Sequence, residues 1–560
     1  MLRDSHPSPR PVDEIASSLD LGLRDYEPYG RHKAKLALGL ERKLTERPLG
    51  RYVDVTAITP TPFGEGKTVV TIALAMALCR EGKKAIATLR EPSLAPVFGI
   101  KGGGAGGGRA TLLPSDDVNL HFTGDMHAVT SATNLLAAMI DNHVKRGKSP
   151  ILNPASITWQ RCIDICDKGL SRIVTGLGNL RQAPLRETGF ELTAASELMA
   201  VLSLATSFQD LRTRLGRVLV GQSTDDQLVF AEDLRCAGAM AALLRDAARP
   251  NLVQTCEHTP ALVHTGPFGN IAHGNCSILA DLAAVRLGDY VITESGFGAD
   301  CGAEKFFDIK CRISGLRPTA EVLVCSVRAL KMHSGRFRVR AGKPLPAELL
   351  SEDLESIREG SENLAAHIDI IRQFGLPVVV AVNQFPTDTD RELELVRQLA
   401  QSNGATAAEI TDAFRLGSDG ATSLARALIQ ACDKPNQFEF LYPLDMPPED
   451  KFQTIATKIY GGEGVDFEPA AVRQLRKIKV DGFGQLPVCI AKTQYSLSHD
   501  PTRKGRPRGF RIPIREVRLA SGADFIYALA GDIGTMPGLP SKPAANCIDV
   551  DSDGNITGLR

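Results

Sequence analysis

The segment TPFGEGKT, residues 61–68, collects the residue types that hold a polyphosphate. Gly64 and Gly66 free the backbone so that N–H groups can converge on phosphate oxygens. Lys67 is placed to reach the outer phosphates, and the Thr68 hydroxyl can ligate magnesium. Thr61 stands where the G-x4-G-K-[ST] pattern has glycine, and Pro62, Phe63 and Glu65 fill the remaining positions. The flanks suit a phosphate loop: YVDVTAITP before it is β-prone, and VVTIALAMALCREG after it is apolar nearly all round, as a buried helix must be. KKAIATLR is β-prone again, which completes a βαβ unit.

That second strand delivers Arg90 at its carboxyl end, where the ligands of doubly wound sheets gather. Two readings are open. An arginine fork can grip a small carboxylate or acyl phosphate through two parallel hydrogen bonds, or Arg90 can form a surface ion pair with Glu91. KGGGAGGG, residues 101–108, reads either as a flexible linker or, between the apolar flanks PVFGI and ATLLP, as backbone that lies close against a ligand. NLHFTGDMHAV adds Asp125, a carboxylate for magnesium or for accepting a proton, between His121 and His127. The H-x5-H spacing has no third ligand at a recognisable distance, which sets zinc aside. Each imidazole is open to proton transfer or to a plain structural role.

These residues need a scaffold, and the pattern of the chain supplies one. The β-prone runs LGDYVITES, AEVLVCSVRAL, GLPVVVAVNQF and QLPVCIAKT alternate with helical stretches such as AEDLRCAGAMAALLRDAA. The fold class is therefore α/β with a mostly parallel sheet. Residues 11–50 carry helical spacing (IASSLDLGL, KAKLALGLERKL) and predict a helical lead-in. A charged stretch, LPAELLSEDLESIREGSENLAAHIDII, and the segment YGGEGVDFEP near residue 460 mark joints. They divide the chain into residues 1–366, 367–459 and 460–560.

Bulk properties narrow the function further. Of 560 residues 43% are apolar, enough for a large core. Lys plus Arg and Asp plus Glu both number 65, so no global field holds a nucleic acid or an anionic membrane, and anionic ligands must be held locally. The twelve cysteines form no CxxC pair, the N-terminus lacks the apolar core of a secretory signal, and no apolar run reaches membrane length. The expectation is a cytoplasmic protein with reduced thiols.

Ten blocks, in order, resemble the signatures of one family. TAITPTPFGEGKT, LREPSLAPVFGIKGGGAGGG, NLHFTGDMHAV, NIAHGNCS, ESGFGADCGAEKFFDIKCR, VRALKMH, NQFPTDT, PVCIAKTQYSLS, GRPRGF and GDIGTMPGLP are similar to those of formate–tetrahydrofolate ligases. The resemblance implies a homotetrameric cytosolic enzyme with a P-loop-type nucleotide-binding domain and two smaller α/β domains. ATP would phosphorylate formate, and N10 of tetrahydrofolate would attack the resulting formyl phosphate. Magnesium and a monovalent cation, potassium or ammonium, are implied as well.

The resemblance assigns roles to particular positions. Residues 61–68 match the ATP loop, with Phe63 where alanine is usual, and Arg90 matches the arginine that grips formyl phosphate. Phe385, followed by Pro386 in NQFPTDT, matches the aromatic that stacks on the pterin. Its usual tryptophan partner lies in a block that here reads AFRLGSDGA, so Phe414 stands in its place with less stacking area. Chemistry then requires Lys67 and Arg90 to spread the charge of the moving phosphoryl group, with Asp125 as the candidate acceptor for the N10 proton.

Three features remain. In ESGFGADCGAEKFFDIKCR, Phe297 and Asp300 are candidates for contact with folate or nucleotide, and Glu304 and Lys305 read as a mutual ion pair. RKGRPRGFR, residues 503–511, is the most basic stretch, open to RNA, to a polyglutamate tail or to solvent alone. Rival classes fit less well: partitioning ATPases carry an extra lysine early in the loop, and biotin-pathway synthetases are shorter and lack the NQFPTDT and AKTQYS blocks. A multifunctional folate protein would carry a dehydrogenase or cyclohydrolase region.

Overall fold

The computed structural model describes residues 8–62, 64–99, 103–178, 184–269, 272–337, 339, 345–531 and 534–559. Phe63, Lys101 and Gly102 lie outside them. Seven parallel strands form the centre of the main sheet, and β-branched runs explain most of them. In chain order they are β1 (Arg51–Ala57), β2 (Ala85–Leu89), β3 (Pro260–Val263), β4 (Tyr290–Glu294), β5 (Ala320–Cys325), β6 (Val378–Asn383) and β7 (Ala407–Thr411). Across the sheet they run β3-β2-β4-β1-β5-β6-β7. Antiparallel strands Asn251–Thr255, Ala34–Leu36 and Tyr26–Pro28 extend the β3 edge.

Strand alternation decides which helices cover which face. Val53, Val55 and Ala57 of β1 face helix α1 (Lys67–Arg80), whose residues Val70 to Leu78 are all buried. Tyr52 faces the other layer, built on α3 (Ile278–Leu287) and α5 (Leu354–Gln373), with α2 (Asp125–Arg146) beyond the β3 side and α4 (Val327–His333) following β5. The charged stretch expected to separate regions is thus α5, whose Ile357, Leu364, Ile368 and Ile371 are buried in that layer.

Residues 367–459 have no sheet of their own. Their strands β6 and β7 continue the main sheet in parallel from β5. A separate sheet begins after residue 460, with strands β8 (Gly464–Phe467), β9 (Val488–Ala491), β10 (Arg511–Ala520) and β11 (Phe525–Ala530) in the order β8-β10-β11-β9.

The helical lead-in is only partly found. Val12–Ser18 is helical, but KAKLALGLERKL gives a strand, Ala34–Leu36, and a single helical turn, Leu40–Lys43. Sheet pairing with Asn251 and Leu252 overrides the local spacing, and Gly39 at φ +80° separates the two pieces.

Candidate active site

The carboxyl tips of β1, β4 and β2 stand side by side, and each leads into residues of the candidate site. After β1 the chain runs through Thr59 and Pro60 into a turn in which Gly64 and Gly66 adopt φ +76° and +80°. Left-handed angles of this kind suit glycine. Close approach adds to the demand for glycine at 66: a Cβ there would lie 2.4 Å from Asn383 Nδ2 and would push that side chain aside. The turn is stapled from within, because Glu65 accepts the Thr61 N–H at 2.9 Å and the Ser326 hydroxyl. Helix α1 starts at Lys67, so the N–H groups of its first turn, which have no partner within the helix, and its positive dipole end lie at the turn.

From the middle tip comes Glu294, which sequence reasoning passed over; its Oε2 accepts the Thr68 hydroxyl at 2.8 Å. Arg90 arrives from β2, two strands from the turn. One of its Nη groups donates to the Pro267 carbonyl at 3.0 Å, and its Nε is buried with no hydrogen-bond partner among the described residues. Burial lowers the Arg90 pKa from its usual value, and the nearby Glu294 carboxylate opposes that shift. Arg90 therefore does not pair with Glu91, whose carboxyl is buried and pushed well above the usual range by burial and by Asp125.

The aromatic candidates follow β4, β6 and β7. Phe385 follows Asn383 at the β6 tip, with Pro386 exposed beside it. The Arg328 guanidinium covers the Phe385 ring at 3.6 Å from its centroid. Phe414, beyond β7, is 52% exposed and lies against the glycine tract. A Cβ on Gly107 would come within 3.2 Å of its ring, one on Gly108 within 2.1 Å of its carbonyl, and that carbonyl accepts the Arg109 N–H at 2.8 Å. The described part of the tract is close-packed backbone and not a linker. Phe297, at φ +64°, packs beside Gly269.

Other candidates fall elsewhere. Asp125 is buried at the start of α2, where both carboxylate oxygens are occupied: Lys35 Nζ donates at 2.8 Å and Asn251 Nδ2 at 2.8 Å. That closed arrangement gives the expected proton acceptor no free oxygen. His121 and His127 are exposed. Lys305 does not pair with Glu304; its ammonium donates to the Gly269 carbonyl at 2.8 Å, while both Glu304 oxygens are buried without a hydrogen-bond partner among the described residues. Asp300 meets Lys492 at 2.6 Å, both fully buried. The basic stretch folds back onto the protein: Lys504 donates to the Tyr495 and Pro501 carbonyls, and Arg506 pairs with Asp369.

Sequence reasoning also missed Arg328 and Asn383. Asn383 heads NQFPTDT, and its place at a strand tip was the available signal. No signal marked Lys35, because its strand was read as helix.

Fold and candidate site together describe an α/β protein with charged and hydroxyl groups gathered beyond the carboxyl ends of a mostly parallel sheet. The family described as formate–tetrahydrofolate ligase matches residues 4–560. Proteins of that name from Roseiflexus sp. (strain RS-1) and Roseiflexus castenholzii are 53% and 54% identical to the chain over 550 residues, covering 98% of it and 98% of each relative. One from Cutibacterium acnes is 49% identical over 559 residues, covering 100% of the chain and 99% of the relative. The chain belongs to the formate–tetrahydrofolate ligase family.

Proposed function

We infer that this protein uses ATP to ligate formate to tetrahydrofolate, giving 10-formyltetrahydrofolate, ADP and phosphate through formyl phosphate. The observation that carries the reading is the meeting of the glycine turn, the Thr68–Glu294 pair and Arg90 at three neighbouring strand tips. In this reading residues 61–68 act as a P-loop. Backbone N–H groups cradle the phosphates, and Lys67 draws charge off the outer one. Arg90, with one group fixed on Pro267, turns its remaining donors to formate and then to the acyl phosphate.

Formate is a poor electrophile, since its charge is shared by two equivalent oxygens. Phosphorylation makes one of them a leaving group, and the work of the protein is positioning and charge stabilisation, with no covalent nucleophile. In the second step the same two cations hold the tetrahedral oxyanion and the departing phosphate while N10 attacks. With Asp125 committed to Lys35 and Asn251, the departing phosphate is the better placed acceptor for the N10 proton. The Thr68 hydroxyl and the Glu294 carboxylate are hard oxygen donors that fit magnesium, which when bound would neutralise phosphate charge.

Phe385 and Phe414 provide the pterin faces, with Pro386 and Phe297 at the margin. The twelve free thiols suit a reducing cytoplasm, and no described helix is long and apolar enough to cross a membrane. A homotetramer, expected from the family resemblance, belongs to the same reading and is open to light scattering. ADP release should require formate and rise further with tetrahydrofolate, because both transfers share one site. Equal ATP turnover with and without formate would reject the assignment.

A further inference from the structure

The donors of the glycine turn face the phosphates in the reading above, but its carbonyls face elsewhere. The Gly64 carbonyl accepts from Arg328 Nη2 at 2.7 Å, and the Glu65 carbonyl accepts from Asn383 Nδ2 at 2.9 Å. Both donors adjoin Phe385, in space or in the chain. The Arg328 guanidinium carbon lies 3.6 Å from the Phe385 ring centroid, and Asn383 sits two residues before that ring in the chain. The Glu65 carboxylate also takes the hydroxyl of Ser326, which caps the helix α4 that carries Arg328. On the proposed function, the same two peptide units would face the nucleotide on one side, and they touch Arg328 and Asn383 on the other.

We propose that Arg328 is a positioning residue through which the nucleotide state of the turn sets the pose of the Phe385 ring, so that nucleotide binding tightens folate binding. The proposal rests on the function inferred above, since it takes residues 61–68 as the nucleotide loop and Phe385 as the pterin ring. Its physical basis is short. Phosphate oxygens orient the N–H groups of the turn, and the rigid peptide plane then orients the Gly64 carbonyl. The guanidinium is planar and forked, so a hydrogen bond at one nitrogen fixes the plane that stacks on the ring. Lysine can make the hydrogen bond but has no plane to transmit.

The test is calorimetric titration of the full chain with tetrahydrofolate, with and without a non-hydrolysable ATP analogue and magnesium. In the parent protein the analogue should tighten folate binding about fivefold or more, with the reciprocal effect of folate on the analogue. In Arg328→Lys and Arg328→Met the ratio of the two folate Kd values should fall to near one, whatever happens to each affinity alone. Phe385→Leu, at a partly exposed ring, gives the same collapse by a route that leaves the arginine in place. A merely structural arginine would shift both Kd values together and keep their ratio. A parent ratio of one, or a ratio preserved in the Arg328 variants, overturns the proposal while the enzyme assignment stands. A parent that binds the analogue and no folate overturns the assignment and the proposal with it.

Discussion

At the scale of single residues, the proposed function puts the heaviest chemical load on Arg90. It is drawn into a partly buried place where its charge is disfavoured by burial and tolerated because Glu294 is near. A charge kept in such a setting has electrostatic leverage that it would lose in water. Arg90→Ala should lower kcat for formate-dependent ADP formation by roughly 10²–10³ while the nucleotide Kd moves little. Parallel losses in both quantities would mark a structural arginine. The position of Arg90 was legible, because a β-prone run ended on it; the partner was not, because Pro267 lies far along the chain.

At the scale of elements, parallel pairing sets Asp54 of β1 directly opposite Glu321 of β5, both fully buried. Burial pushes the Asp54 carboxyl up to about 6, although the Ser295 hydroxyl donates to it at 2.7 Å. An acid whose folded pKa is raised contributes fully only below its unfolded pKa near 4, and that contribution drains away as pH climbs to about 6. Asp54→Asn should therefore match the parent in thermal unfolding near pH 4. Its midpoint should pull ahead between pH 4 and 6 and hold a constant lead above, worth about 3 kcal/mol at most. A lead that is the same at pH 4 and pH 8 would remove the carboxyl from the account.

The glycine tract works at the same scale. Gly108, at φ +58°, allows Phe414 to lie against the chain, and Gly108→Ala brings a methyl group into the Phe414 carbonyl. Folate KM should rise roughly three- to tenfold, the range of one aromatic stacking contact, with the ATP KM as control. An unchanged folate KM would free Phe414 from the pocket. The tract also shows where local reading stops. Its apolar flanks hinted at packing, yet nothing in the sequence named Phe414, about three hundred residues on, as its neighbour.

At the scale of the molecule, strands β1, β2, β4, β5 and β6 were all readable as β-prone runs, because each is buried on both faces and rich in apolar and β-branched residues. Their order was not readable, since strand order is a property of crossovers and not of any one segment. The C-terminal sheet is tied to the main body at a buried point: Lys492 gives its ammonium to Asp300 at 2.6 Å and to the Ser496 carbonyl at 2.6 Å, and Gly505 is held by Asn363 at 2.8 Å. Removing one member of such an ion pair strands the other charge in the interior. Lys492→Met should lower stability by roughly 3–5 kcal/mol, and Asp300→Leu added to it should restore part of the loss. Additive losses in the double variant would deny the pairing its energetic role.

Strand β4 has one more effect. Had β1 and β2 been neighbours, their tips would stand about 4.8 Å apart, too little for anything but a direct contact. The intervening strand doubles that separation to roughly 10 Å, and it does so in backbone, which side-chain replacement cannot stretch. On the proposed function, the gauge of the reaction site is in this sense a whole number of strands. Swapping the residues that line it can alter the grip on a one-carbon acid, but only a change in topology can alter the bore.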